Sequence, residues 1–129
     1  MIYKDDFENW KEVLEQFDAT KLVTGKELPL FAVYANEGYD GSAFVLYIEN
    51  NKLFSVYGGH CSCFGLEDQW EPEEIDWSIA VQFLEQTWYC QDYKDIVIPL
   101  VTELVKSEDR ANDINELRTV VALKYGNIH

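Results

Sequence analysis

The chain predicts an α+β domain: an N-terminal helix, a three-stranded antiparallel sheet with a central hairpin, and C-terminal helices packed on the sheet. Three observations carry this expectation. Helix-period stripes lie on both sides of a central block of alternating residues, and Asn50-Asn51 separates two runs within that block. The strands also come together, while most helical stripes follow as a block. A parallel crossover in the sheet would contradict the arrangement.

The first helix is read from Phe7, Trp10, Leu14 and Phe17, spaced 3, 4 and 3 apart, with Asp5 or Asp6 as its cap. Glu8, Glu12 and Glu15 fall on the side facing water, and Thr24-Gly25-Lys26 breaks the pattern. Leu28 to Ala35 reads as a strand, with Pro29 near its start, where a missing donor is tolerated. A turn-rich loop, Asn36 to Gly41, leads to the strands Ala43–Glu49 and Lys52–Tyr57. Asn tolerates positive φ, so Asn50-Asn51 suits a two-residue type I′ turn. That turn pairs Glu49 with Lys52, Ile48 with Leu53 and Tyr47 with Phe54. One face then carries Phe44, Leu46, Ile48, Leu53 and Tyr57, and the other Val45, Tyr47, Phe54 and Val56. Both faces are apolar. Either helices cover both, or one is an aromatic patch awaiting a partner.

Gly58 to Glu74 fits neither period. Beyond it, Pro72 suits the first position of a helix, with Glu73 and Glu74 behind it, and Trp77, Ala80, Leu84 and Trp88, flanked by Ile79 and Phe83, as its buried face. Val97, Leu100, Val101, Leu104 and Val105 mark another helix, which Pro99 should start or kink. Ile114, Leu117, Val121 and Tyr125 mark a last one, stopping at Gly126.

At 129 residues, 47% of them hydrophobic, residues 1–129 form a single domain with a real core. The net charge of −14 opposes direct binding of nucleic acid or anionic membrane. It permits a basic protein partner, a bound cation or plain solubility. The acidity is regional: residues 61–95 hold nine acids and one base, and residues 1–18 six acids and two bases. With three cysteines, no apolar leader and no apolar run of membrane length, a reducing, cytoplasmic setting is expected.

Two constellations carry chemistry. His60, Cys61, Cys63 and Cys90 are four soft ligands of the kind a structural zinc site uses, although Cys-x-Cys is not the usual Cys-x-x-Cys knuckle. Their other reading is small buried hydrophobes. A nucleophilic cysteine is disfavoured, because acidic surroundings raise a thiol's pKa. No phosphate-cradling or carboxylate-metal motif occurs, so no catalytic residue is assigned and the chain is expected not to be an enzyme.

Glu67, Asp68, Glu71, Glu73, Glu74 and Asp76 place six carboxylates and no base within ten residues. Acids near a helix start complement its dipole, which would account for Glu73 and Glu74 but not for Glu67, Asp68 and Glu71. Trp70 among them is either an interface anchor or a core residue folding back. With Trp70 as anchor, Glu67, Asp68, Glu71, Glu73 and Glu74 form a docking face for a basic partner.

Gly59-His60-Cys61-Ser62-Cys63-Phe64-Gly65-Leu66-Glu67 and Gln69-Trp70-Glu71-Pro72-Glu73-Glu74, with the hairpin from Gly38 to Tyr57 before them, resemble segments of small acidic bacteriophage and prophage proteins. The resemblance implies a job in the bacterial host cell. Such proteins are similar to those that block host nucleic-acid-handling complexes, anti-CRISPR proteins among them. It implies a non-enzymatic inhibitor that binds a basic host protein or nucleoprotein complex, acting as a DNA mimic by filling a positive channel with carboxylates. The alternative is a zinc-organised module centred on His60, Cys61, Cys63 and Cys90. A monomer is expected, because charge opposes self-association and internal helices can cover the hairpin's second face.

Overall fold

The computed structural model describes residues 2–5, 9–37, 40–60, 65–86 and 94–107. Five strands form one sheet in the order β1 (Ile2–Asp5), β2 (Leu28–Glu37), β3 (Asp40–Glu49), β4 (Lys52–His60) and β5 (Glu73–Ile75). The helices are α1 (Trp10–Gln16), α2 (Ala80–Gln86) and α3 (Lys94–Lys106). The α+β class holds, but among the described residues the sheet has five strands rather than three. The expected sheet lacked both edges.

At one edge β1 runs parallel to β2, with Ile2 opposite Phe31 and Asp5 opposite Tyr34. The chain from Asp5 to Leu28 supplies the crossover that parallel pairing needs, and α1 lies within it. The expectation of a wholly antiparallel sheet is thereby corrected: β2 to β5 are antiparallel and β1 is not. The helix cap moves as well. Asp5 belongs to a strand, and Asn9 caps α1 by accepting the Glu12 backbone N–H on its Oδ1 at 2.8 Å. The helix ends when Asp18 turns to φ 53°. Asp18 then donates to the Glu15 carbonyl and Ala19 to the Leu14 carbonyl, the paired bonds of a Schellman stop.

The hairpin has the expected register, with Glu49 opposite Lys52, Ile48 opposite Leu53 and Tyr47 opposite Phe54. Asn50 and Asn51 both take positive φ, 54° and 63°, as a type I′ turn requires. The strands run further than their side-chain pattern indicates: β2 to Glu37, β3 from Asp40 and β4 to His60. A register shift between Pro29 and Phe31 puts consecutive Leu30 and Phe31 in the same core cluster.

Both sheet faces are covered from within the chain. Phe44, Leu46, Ile48 and Leu53 pack with Ala80 and Leu84 of α2 and Val97, Leu100, Val101 and Leu104 of α3. On the other face Val45, Tyr47 and Val56 pack with Val13, Leu14 and Phe17 of α1 and with Leu66 and Trp70. Pro99 lies inside α3 rather than at its start; it is exposed, on the side away from the buried stripe. Trp88 and the stripe from Ile114 to Tyr125 lie outside the described residues. No helix among the described residues is long and apolar enough to cross a membrane.

Candidate functional site

The acidic segment is held from both ends by its uncharged members. Leu66 is fully buried against the α1 face, and it reaches the sheet because Gly58 of β4 lacks a Cβ. A Cβ there would stand 2.8 Å from both Leu66 Cδ2 and Phe17 Cε1. Gln69 then fastens the segment to the strand. Its Oε1 accepts from the Gly59 N–H at 2.8 Å, and its Nε2 donates to the Gly59 and Gly65 carbonyls, each at 2.9 Å. The carboxamide thus meets both backbone polar groups of Gly59, as a residue of a further strand would.

Trp70 is 8% exposed. It stacks on Tyr47 at 5.9 Å and 10°, meets Phe17 edge-on at 5.3 Å, and lies 5.9 Å from Trp10. The reading of Trp70 as an open interface anchor is corrected: its ring area is spent on the core of the α1 face. The five carboxylates meant to surround it (Glu67, Asp68, Glu71, Glu73 and Glu74) are all exposed. Buried anchors at Leu66, Trp70 and Ile75 therefore carry a row of acids on the solvent side.

Pro72, Glu73 and Glu74 do not begin a helix. Glu73 and Glu74 lie in β5, opposite Ser55 and Phe54 of β4, and Ile75 turns into the core opposite Leu53. A three-residue edge strand carrying two acids resists pairing with another sheet. Glu74 lies 3.6 Å from Lys52 Nζ, an exposed pair of small energetic weight. The acid at the helix approach is Asp76, whose Oδ1 accepts the Ser78 N–H at 2.9 Å. That bond holds its carboxyl below the usual carboxylate range, the Ser78 hydroxyl acting in the same direction. Trp77 precedes α2 and donates its indole N–H to the Asn51 carbonyl at 2.8 Å, tying this stretch to the hairpin turn.

Of the four zinc-ligand candidates, Cys61, Cys63 and Cys90 lie outside the described residues, as does the side chain of His60. Among the described residues no group of three or more His, Cys, Asp or Glu side chains is placed to hold a metal ion.

A second acidic feature has no counterpart in the sequence reading. A half-open cleft of about 210 Å³ beside the hairpin turn is lined by Thr24, Glu27, Tyr47 and Glu49, with Trp70 and Pro72 joining them. Burial raises the Tyr47 phenol to about 12, and the Glu49 and Glu27 carboxylates push in the same direction. The available signal was a charged residue directly before an apolar strand, Glu27 before Leu28, and such residues are common. Comparison with protein-family models, with curated proteins and with solved structures finds no match.

Proposed function

We propose that this protein is a non-enzymatic, phage-type host-interaction protein, working as a monomer. It binds a basic nucleic-acid-handling complex of a bacterial host through Glu67, Asp68, Glu71, Glu73 and Glu74, and inhibits it in the anti-CRISPR manner by keeping nucleic acid out. One observation carries the reading: these acids are exposed while Leu66, Gln69, Trp70 and Ile75 beside them are fixed in the core or fastened to β4. A carboxylate row on a fixed backbone holds its spacing before binding, so little ordering entropy is lost on docking. It resembles a phosphate backbone in charge sign and opposes binding to nucleic acid itself.

The experiment is competition. The partner is captured from a bacterial host lysate at low salt, identified and purified, and its nucleic-acid affinity is measured with and without this protein. Mutually exclusive binding is expected. Simultaneous binding of both would reject the mechanism. Metal analysis addresses the zinc-organised alternative, which about one zinc bound per chain would favour.

A further inference from the structure

Hydrogen-bond donors and acceptors do not balance in the cleft beside the hairpin turn. The Thr24 hydroxyl oxygen lies 3.0 Å from Glu27 Oε2 and 2.7 Å from Glu49 Oε1. It also accepts the Lys26 backbone N–H at 3.2 Å. A hydroxyl has one proton, so it serves one of the two carboxylates at a time. Glu27 is only 8% exposed, and its Oε1 is buried with no hydrogen-bond partner. The two ion pairs among the described residues, Lys11–Glu15 and Lys52–Glu74, leave Glu27 and Glu49 uncompensated. A buried carboxylate short of both charge and donors is costly to keep. A cation with several N–H groups would meet both needs.

The lining narrows the kind of cation. Besides the carboxylates it presents the Tyr47 and Trp70 rings, mutually stacked at 10°, with Leu22 and Val23 beside them. A hard divalent ion takes six or more oxygens and has no use for aromatic walls. An ammonium is a compact, strongly hydrated point charge. A guanidinium is flat, permanently charged, more weakly hydrated, carries five N–H donors and lies well against aromatic rings. Leu22, 64% exposed at the mouth, offers apolar surface to the methylene stem that would carry it.

We propose that this cleft is a guanidinium-binding site, in which the ligand pairs with Glu27 and Glu49, while Tyr47 and Trp70 contribute to its wall only the small part of each ring that the core leaves open. The ligand is an arginine side chain of the basic partner; that identification rests on the function proposed above, whereas the guanidinium chemistry does not.

The test is a titration of the whole protein with N-acetyl-arginine amide, followed by NMR at the Trp70 indole and Thr24 amide signals. The lysine and citrulline analogues are run beside it. Citrulline keeps the shape and loses the charge. Saturable shifts are expected with the arginine compound, roughly tenfold tighter than with either analogue. Glu27→Gln and Glu49→Gln should each weaken binding by about the same factor. Glu27→Gln removes a buried charge at constant shape, so it should fold, and its thermal midpoint checks that. Glu103→Gln, exposed on α3 and outside the cleft, should bind arginine unchanged. No saturable shift, equal binding of citrulline, or undiminished binding by folded Glu27→Gln would overturn the site. Arginine binding together with full partner affinity in Glu49→Gln would overturn the partner's arginine as its ligand. Arginine binding together with full partner affinity after charge reversal of the acidic row would instead reject the docking face and leave the cleft standing.

Discussion

Replacing Trp70 by Ala separates a core residue from an interface anchor. Burying a tryptophan side chain removes about 150–250 Å² from water, and Trp70 keeps only 8% exposure. At about 25 cal/mol per Å², that burial is worth roughly 4–6 kcal/mol. The contacts with Tyr47, Phe17 and Trp10 add about 0.5–1.5 kcal/mol for each well-oriented pair. Partial collapse of the cavity offsets some of this, and large-aromatic deletions in cores cost about 3–5 kcal/mol in practice. A loss of about 4 kcal/mol is therefore expected. Against a domain stability of about 5–15 kcal/mol, the variant should still fold, but marginally. Trp70→Phe, which keeps an edge against Phe17, should lose about half as much. The assay is urea unfolding followed by far-ultraviolet circular dichroism. The midpoint should fall while the slope stays constant. A Trp70→Ala loss below about 1 kcal/mol, within the range of surface substitutions, would refute the placement of this ring in the core.

Three further outcomes follow from individual contacts. Gly58→Ala should destabilise by about 1–3 kcal/mol in the same unfolding assay, because its Cβ would press on Leu66 and Phe17. Ser55 is 1% exposed and its hydroxyl has no hydrogen-bond partner, so Ser55→Ala should be neutral or stabilising by up to about 1 kcal/mol; a clear loss would reveal a partner for it. The Tyr47 phenol stands at about 12, above its ordinary value of 10.0. The folded state thus holds this proton more tightly than the unfolded chain does, a contribution complete below pH 10 and lost as pH rises toward 12. Tyr47→Phe should remove that alkaline component from the stability profile; an unchanged profile between pH 10 and 12 would contradict the burial.

Legibility in the sequence followed the range of the interaction. The hairpin was readable to the residue because Asn50-Asn51 fixes register locally and the two alternating faces agree with it. The stripe of α3 was readable for the same kind of reason. What failed was long-range or carried by the backbone. Ile2–Asp5 pairs with a strand beyond a helix, and four residues cannot announce such a partner. Pro72-Glu73-Glu74 has the residue types of a helix start; only its pairing with β4 makes it an edge strand, and Asp76 is the acid that caps the turn toward α2. The acidic row was visible as composition. Its support was not, because Gly58 and Gln69 act through one close approach and three hydrogen bonds that leave no periodic trace. The cleft was hidden because Thr24, Glu27 and Glu49 meet only after β2 and β3 have paired.

The most direct test of the acidic face is the salt dependence of partner affinity in the wild type and in the triple variant Glu67→Lys, Glu71→Lys, Glu74→Lys. All three positions are exposed, so reversal should leave the fold intact, as circular dichroism would verify. Wild-type affinity is expected to fall steeply as salt rises, and the variant to show no binding even at low salt. Equal affinity of the two proteins for the purified partner, with no dependence on salt, would contradict the acidic row as the contact surface.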